Sequence, residues 1–237
     1  ILPWSRQSEA FLRSQLQVPP ERIELMPASV DTTLFHSGVR QNKLVKLDSG
    51  KSKGPLRLIT VQRFVPYKDY PTLLHGLRHA LDAGANCTMA ILGTGPDELS
   101  IRALITQLKL DAAITFLPQV RYEQMAELYA NYSVLVHTGR HEAIGMVVPE
   151  SMACGVVPIV CDTAGAVMYV TPETGFIVPM GDASAFGKTI LHVTQLSSTK
   201  LRAIGKAASK HITRNYAVPI IVRKYAHILR NRAQINL

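Results

Sequence analysis

From residue 56 onward, short apolar runs alternate with longer segments in which apolar residues recur at helical spacing. The first run, LRLITVQR, is typical of a buried strand, and the following DYPTLLHGLRHALDAG has helical periodicity and ends at a glycine. Strands separated by such helices form βαβ units, so the pattern predicts an α/β fold with a doubly wound parallel sheet. The predicted strands are 56–63, 87–95, 113–120, 133–139, 156–162 and 175–179, and the predicted helices are 69–84, 97–110, 122–132, 146–155, 182–196, 197–216 and 219–232.

The chain before residue 56 has a different pattern. SEAFLRSQL predicts a helix near the start, and the short apolar piece IELMP predicts a strand. A polar, lysine-rich connection at 39–54 leads into the sheet. The chain therefore divides into a leading segment at 1–38, a sheet domain at 39–216 that includes the basic connection, and a C-terminal helical segment at 217–237.

The chain is strongly basic, with a net charge of +9 and a pI of about 9.6, which implies an anionic partner. The basic residues crowd the 39–54 connection and the stretch 200–232, either as solvated faces or as a surface resting on anionic lipid. Three cysteines without framework spacing predict free thiols in a reducing compartment. We therefore expect a cytoplasmic protein, with a peripheral position on the cytoplasmic face of a membrane left open. No run approaches the ~20 apolar residues of a membrane span.

The loops that follow the strands are the candidate site segments, because doubly wound sheets bind ligands beyond the carboxyl ends of their strands. After the first strand, RFVPYKD brings Arg63 and Lys68 onto one turn, and two cations suit a diphosphate. After the second, LGTGPD has Gly93 and Gly95 but carries Glu98 where a dinucleotide fingerprint needs a third glycine. These glycines indicate a tight turn with close backbone approach and argue against a hydride-transfer cofactor.

The stretch HEAIGMVVPESMACG places Glu142 and Glu150 in an otherwise apolar run, on either side of a predicted helix start. The first amides of a helix lack intrahelical acceptors and attract anions, and Gly145 would let a phosphate come close. As plain structure, Glu150 would be a charge at a helix start and Glu142 a surface loop residue. As a site, the amides and basic side chains would hold a diphosphate, and each carboxylate would bind one ring of a nucleoside diphosphate sugar.

These residues carry a resemblance to a known family. The stretch EAIGMVVPESMACGVVP resembles the E-x7-E signature of retaining glycosyltransferases of family 4. Five further pieces resemble elements of that family in the same order, and together they cover roughly residues 24–237: PASVDTTLF, QRFVPYKD, LGTGPD, ITFLPQV and TGFIVPMGD.

The resemblance implies a role for each candidate residue. Arg63 and Lys68 would bind the donor diphosphate and stabilise the charge that develops on it, and Glu142 would contact the transferred sugar, so these three are the expected catalytic residues. Glu150 would hold the ribose. The remaining expected donor-binding residues are Gly145, Met146 and Val147 through their backbone amides, Val120 beside the base, and Gly93 and Thr138 in the adjoining loops.

The resemblance also implies the enzyme as a whole: two Rossmann-like domains in the GT-B architecture, working in glycan biosynthesis without metal or cofactor. The donor substrate would be a UDP-, GDP- or ADP-linked sugar, transferred with retention of configuration to a glycan or lipid acceptor. Residues 1–38 would be the tail of an N-terminal domain and the interdomain connection, 39–216 the nucleotide-sugar-binding domain, and 217–237 a crossover helix. We expect this chain to be mainly the donor-binding half and to transfer sugar inefficiently without an acceptor domain.

Other readings remain open at this point. A non-catalytic Rossmann-like domain could use its positive charge to bind a polyanion or a membrane surface. A sugar-phosphate epimerase or a phosphorylase could share the fold, although no cofactor lysine is identifiable. An NAD(P)-dependent oxidoreductase would need the full glycine fingerprint, which is missing, and nucleic acid is not expected as a partner.

Overall fold

The computed structural model describes residues 1–39, 54–142, 144–163 and 165–233, with side chains as far as Asn231. The basic connection predicted at 39–54 lies outside the described residues except for its two ends. The part of the chain that is described forms one parallel sheet with helices on both faces.

The sheet has six parallel strands in the order β3-β2-β1-β4-β5-β6, which confirms the predicted fold class. Every residue of β4 and β5 is buried, as expected for strands covered on both faces. Successive side chains of β1 point to opposite faces, so that Leu58 joins one apolar cluster and Ile59 the other. The strands are β1 (Leu56–Val61), β2 (Cys87–Leu92), β3 (Ile114–Phe116), β4 (Val134–His137), β5 (Val157–Cys161) and β6 (Phe176–Val178).

Eight α-helices are described. They are α1 (Arg6–Ser14), α2 (Tyr70–Asp82), α3 (Glu98–Gln107), α4 (Met125–Tyr129), α5 (Val147–Ala153), α6 (Ala183–Gln195), α7 (Ser198–Asn215) and α8 (Val218–Ala233). Helices α2, α3 and α6 cover one face of the sheet, and α4, α5 and α7 cover the other. The chain crosses between the faces after β3. Side-chain caps begin three of the longer helices, from Asp69 at α2, Asp182 at α6 and Ser197 at α7.

Three local predictions differ from the structure. IELMP forms no strand; the segment is extended, and the amides of Glu24 and Met26 donate to the carbonyls of Ile1 and Pro3 near the start of the chain. The strand predicted at 113–120 is only Ile114–Phe116, because β3 lies at the sheet edge and Pro118 lacks the N–H that a longer ladder needs. The helix predicted at 122–132 divides into a 3₁₀ turn, Tyr122–Gln124, followed by α4.

Candidate functional site

The strand order reverses between β1 and β4, and doubly wound sheets bind their ligands at such a point. The helices that follow these two strands, α2 and α5, cover opposite faces of the sheet, so the loops leaving β1 and β4 diverge at its carboxyl edge. The sequence places Arg63 and Lys68 in the first loop and Glu142 in the second. This edge is therefore where the predicted site residues should meet.

Two polar side chains converge on one carboxylate oxygen of Glu142 at this edge. The ammonium of Lys68, at the end of a 3₁₀ turn after β1, forms an ion pair with Oε2 of Glu142. Nε2 of His137, the last residue of β4, lies 3.1 Å from the same oxygen. The side chain of His137 is 1% exposed and that of Glu142 15%, so this cluster has little contact with solvent.

The cluster keeps Glu142 ionised. Burial of the carboxyl group opposes its ionisation, but hydrogen bonds from His137 and Lys68 outweigh this effect and lower the pKa of Glu142 from 4.5 to about 2. Burial also lowers the pKa of His137, against the opposite influence of Glu142. The cluster therefore consists of a carboxylate, an ammonium and a neutral imidazole at neutral pH.

Two glycines make room for the carboxylate of Glu142. A Cβ on Gly139 would lie 3.2 Å from His137 Nε2 and 3.3 Å from both Glu142 Oε2 and Lys68 Cδ. Gly145 has a φ of +65°, and a Cβ there would lie 2.9 Å from Glu142 Cγ. The loop thus needs glycine at 145 both for its left-handed backbone and for the space that the glutamate side chain occupies.

Hydrogen bonds join the loops after β1 and β4 along their length. The hydroxyl of Thr138 donates to the carbonyl of Lys68 over 2.9 Å, and the amide of Arg140 donates to the carbonyl of Tyr67 over 2.7 Å. Arg140 Nε also donates to Oδ2 of Asp69 over 2.8 Å, and Asp69 caps α2 from a left-handed conformation. These bonds fix Lys68 relative to the loop that carries its partner carboxylate.

A third loop, the one after β5, contacts the backbone of Glu142. The amide of Gly165, in the loop after β5, donates to the carbonyl of Glu142 over 2.9 Å. The loops after β1, β4 and β5, all expected to line the site, are therefore in direct contact.

Glu150 lies in the first turn of α5 and is 7% exposed. Burial raises its pKa from 4.5 to about 7, partly offset by the hydroxyl of Tyr122, which donates to Glu150 Oε1 over 3.5 Å. Tyr122 is 52% exposed, and its ring packs edge-on against the buried Phe35 at 5.4 Å between centroids. The two glutamates of the signature thus differ in their tendency to ionise, since the pKa of Glu142 lies far below neutral pH and that of Glu150 lies close to it.

Residues Gly145, Met146 and Val147 lead into α5, as the sequence predicted. The amide of Val148 donates to the carbonyl of Gly145, and that of Glu150 donates to the carbonyl of Met146. In the first turn of any helix the leading amides have no intrahelical acceptor. The leading amides of α5 follow Glu142 closely in the chain and are therefore candidate donors to a ligand.

Three other predicted site residues make no bond to the Glu142 cluster in the described part of the chain. Arg63 is exposed, and its side chain makes no hydrogen bond or ion pair with any described residue. Gly93 packs against the loop after β1, since a Cβ there would lie 1.9 Å from the carbonyl oxygen of Gln62. Val120 is half-buried against the α4, α5 and α7 cluster. In the described part of the chain none of the three bonds to the Glu142 cluster.

Sequence reasoning missed His137 and Tyr122 as site residues. His137 ends a strand whose other residues are apolar, and one polar residue in a buried strand is the signal that could have identified it. Tyr122 opens the 3₁₀ turn that the sequence had assigned to a helix. Among the described residues, no group of three histidine, cysteine or acidic side chains has the geometry to hold a metal ion.

A doubly wound parallel sheet with a paired lysine and two glutamates near its switch point defines a Rossmann-like domain with a candidate ligand site at the carboxyl edge of its strands. Sequence comparison gives the family: the model described as Glycosyl transferases group 1 matches residues 43–211. The chain belongs to this family.

Individual relatives agree with this assignment. A GDP-mannose-dependent monoacylated alpha-(1-6)-phosphatidylinositol monomannoside mannosyltransferase of Corynebacterium glutamicum is 24% identical over 216 residues, which is 88% of this chain and 56% of that protein. The chain spans about half the length of the curated relatives that it matches.

Two solved structures share the fold. Sucrose-phosphate synthase from Thermosynechococcus elongatus superposes with a TM-score of 0.81 and 24% identity over 99% of this chain and 58% of that one. HepE from Anabaena, solved in complex with UDP and glucose, superposes with a TM-score of 0.78 and 20% identity over 97% of this chain and 62% of that one. At these identities the likeness shows the GT-B type of Rossmann-like fold.

Proposed function

We propose that this chain is the donor-binding half of a retaining glycosyltransferase of family 4, which transfers a sugar from a nucleoside diphosphate sugar to an acceptor. The observation that carries the proposal is the arrangement of Glu142 and Glu150 on either side of the start of α5, at the switch point of the sheet, with Lys68 paired to the first glutamate. The spacing of the two glutamates is that of the E-x7-E signature.

Each group has a chemical task in this proposal. Departure of a nucleoside diphosphate leaves negative charge on its phosphates, and the cations Lys68 and Arg63 would stabilise that charge. The ionised Glu142 accepts hydrogen bonds from hydroxyls of the transferred sugar, and Glu150 accepts them from the ribose. The amides at 145–147 approach the sugar and the phosphates, with Gly93, Val120 and Thr138 completing the donor pocket. Cationic side chains perform the charge stabilisation, so we expect no metal requirement.

Arg63 fits the diphosphate role because it is uncommitted within the described structure, whereas Lys68 is held by Glu142. An exposed guanidinium can turn toward a phosphate without breaking another bond, and its fork matches two phosphate oxygens. We expect Arg63 to make the first contact with the donor and Lys68 to follow by exchanging partners.

We propose a chemical class for the donor and for the acceptor. The corynebacterial relative is named as GDP-mannose-dependent and the HepE structure holds UDP and glucose, so a UDP- or GDP-linked hexose is the favoured donor class. The acceptor half would be an N-terminal domain with residues 1–38 leading out of it, 39–216 binding the donor, and 217–237 crossing back. The chain alone is expected to bind a nucleotide sugar weakly and to turn it over inefficiently.

A membrane-proximal acceptor is favoured by one surface of α7. Four basic residues recur at every fourth position on its exposed face, and the helix contains no acidic residue. Like charges at this spacing destabilise a helix by ~0.2–0.5 kcal/mol per pair, so an anionic surface would relieve a built-in cost. Within the described residues, no helix combines the length and the apolar character that crossing a bilayer demands. The four residues are Arg202, Lys206, Lys210 and Arg214.

Vesicle sedimentation tests this surface. The chain should bind vesicles containing phosphatidylserine and lose much of that binding in the variant Lys206→Glu. The control is Lys188→Glu, a matched charge change on the exposed face of α6. Equal losses in both proteins would mean that net charge, and not this stripe, governs lipid binding.

Calorimetry against UDP, GDP and ADP tests the proposed function. One nucleotide should bind, and Glu150→Ala should weaken it by about tenfold or more, because a hydrogen bond to a charged group is worth ~1.5–3 kcal/mol. Glu98→Ala on the surface of α3 is the matched control and should bind as the unaltered chain does. If no nucleotide binds while heparin binds with strong salt dependence, the polyanion-binding alternative replaces the glycosyltransferase assignment.

A further inference from the structure

The carboxylate of Glu142 receives two donors from separate elements of the fold. Lys68 reaches it from the turn after β1, and His137 reaches it from the end of β4. Both contacts are to the same oxygen, Oε2. The lysine is a long and flexible side chain, whereas the imidazole stands on a buried central strand whose backbone is fixed by the sheet.

The chemistry of the contact defines which nitrogen of His137 carries the proton. Glu142 is ionised and can only accept, so Nε2 of His137 must donate. A neutral imidazole has a single N–H, which leaves Nδ1 as a bare acceptor. Nδ1 is buried and has no hydrogen-bond partner among the described residues. An unprotonated Nδ1 is compatible with that environment. A protonated imidazole would place a second N–H on Nδ1, which would be a buried donor without an acceptor.

In the proposed function, the carboxylate of Glu142 and the diphosphate of the ligand compete for Lys68. If the ammonium of Lys68 binds a diphosphate, it must leave or share the oxygen of Glu142 that it contacts. A carboxylate that is largely buried and then loses the cation that contacts it is costly unless another donor remains. His137 is the donor that does not have to move.

We propose that His137 is a positioning residue that holds the Glu142 carboxylate in place while Lys68 turns from that carboxylate to the diphosphate of a bound nucleotide. The proposal rests on the proposed function of the site, since it presumes that Lys68 binds phosphate. It assigns His137 no direct contact with the ligand. The sheet thereby supplies a fixed donor, and the mobile lysine is released for the ligand.

Calorimetry on a set of variants tests this exchange. The ligands are whichever of UDP, GDP and ADP binds the unaltered chain, and the matched monophosphate, which makes less demand on Lys68. His137→Leu removes the donor and should weaken the diphosphate by about tenfold or more, with a change of less than about twofold for the monophosphate. His137→Gln, whose amide can still donate from a similar position, should recover most of the affinity.

A double-mutant cycle separates positioning from general damage. Glu142→Gln removes the charge that His137 is proposed to hold, so adding His137→Leu to it should cause little further loss of diphosphate affinity. A loss that persists undiminished in the Glu142→Gln background, or an unchanged affinity of His137→Leu alone, overturns the inference. If the unaltered chain binds no nucleotide, the proposed function fails first and the inference fails with it.

A spectroscopic measurement does not depend on whether the leucine variant folds. Long-range ¹H–¹⁵N correlation spectra of the unaltered chain should show His137 as the neutral form protonated on Nε2, both before and after the diphosphate is added. Glu142→Gln should shift the His137 resonances more than diphosphate binding does. A His137 protonated on Nδ1, or one that loses its contact when the nucleotide binds, contradicts the proposal.

Discussion

The buried carboxyl group of Glu150 should make the protein less stable at high pH, and neutralising it should reverse that effect. The folded-state pKa is about 7, against an ordinary value of 4.5, so the folded chain holds a proton that the unfolded chain has already lost between these values. Stability from this group is present below about pH 4.5 and is lost as the pH rises through about 7. The perturbation that tests this is Glu150→Gln, because an amide has the shape and the neutrality of the protonated acid.

The pKa difference sets the magnitude. Moving a pKa from 4.5 to about 7 corresponds to ~3 kcal/mol at a pH above both values. The start of α5 favours a negative charge by only ~0.3–1 kcal/mol, so the burial penalty is the larger effect. We therefore expect Glu150→Gln to stabilise the fold by about 2 kcal/mol at pH 8 and by much less at pH 5.

Urea unfolding followed by circular dichroism at pH 5, 6.5 and 8 measures these differences. Glu98→Gln is the control, since that carboxylate is exposed and paired with Arg102, and its effect should be small and nearly independent of pH. A Glu150→Gln protein that is no more stable than the unaltered chain at pH 8, or whose gain is the same at all three values, refutes the reasoning. The same variant should lose nucleotide affinity, which would make Glu150 a position where binding is favoured over stability.

Three further predictions follow from the site. Gly145→Ala should destabilise the fold in urea by about 1–3 kcal/mol and weaken nucleotide binding, because its Cβ would lie 2.9 Å from Glu142. The control is Gly84→Ala, where φ is +89° and nothing lies within 4 Å of the added Cβ, and its loss of stability should be smaller. Glu142→Gln should destabilise the fold at pH 7, as measured by urea unfolding. Because the pKa of Glu142 is lowered, its contribution to stability is lost as the pH falls from 4.5 through about 2, so the difference in unfolding free energy between the variant and the unaltered chain should shrink over that range. Tyr122→Phe removes a hydrogen-bond donor from Glu150 and should raise the pKa of that group further, so Glu150→Gln should stabilise the fold against urea at pH 8 by more in the Tyr122→Phe background than in the unaltered chain.

The central strands and the location of the site were predictable because both depend on short-range patterns. Strands such as β4 and β5 are buried on both faces and therefore appear in the sequence as continuous apolar runs. The site residues follow strand ends, and parallel strands bring all their carboxyl ends to one edge. From these two facts alone, Lys68 and Glu142 are expected in the same region.

Other features depend on contacts that local patterns do not contain. The ion pair of Lys68 and Glu142 joins residues 74 positions apart, and its geometry requires the space above Gly139. IELMP has the composition of a strand, but the neighbour that it meets is the start of the chain and not an edge of the sheet. His137 is hydrogen-bonded within a buried cluster, and a single histidine in an apolar run is more often a core residue than part of a site.

The protonated state of Glu150 has a consequence for how the proposed ligand would be captured. A carboxylate binds two neighbouring hydroxyls better than a carboxylic acid does, so binding of a ribose at this site near neutral pH should release the fraction of a proton that Glu150 holds. The observed heat of binding would then vary with the ionisation enthalpy of the buffer, and acidification of the surroundings would weaken the complex by mass action. Nucleotide capture and local proton concentration would in that way be thermodynamically coupled through a single side chain.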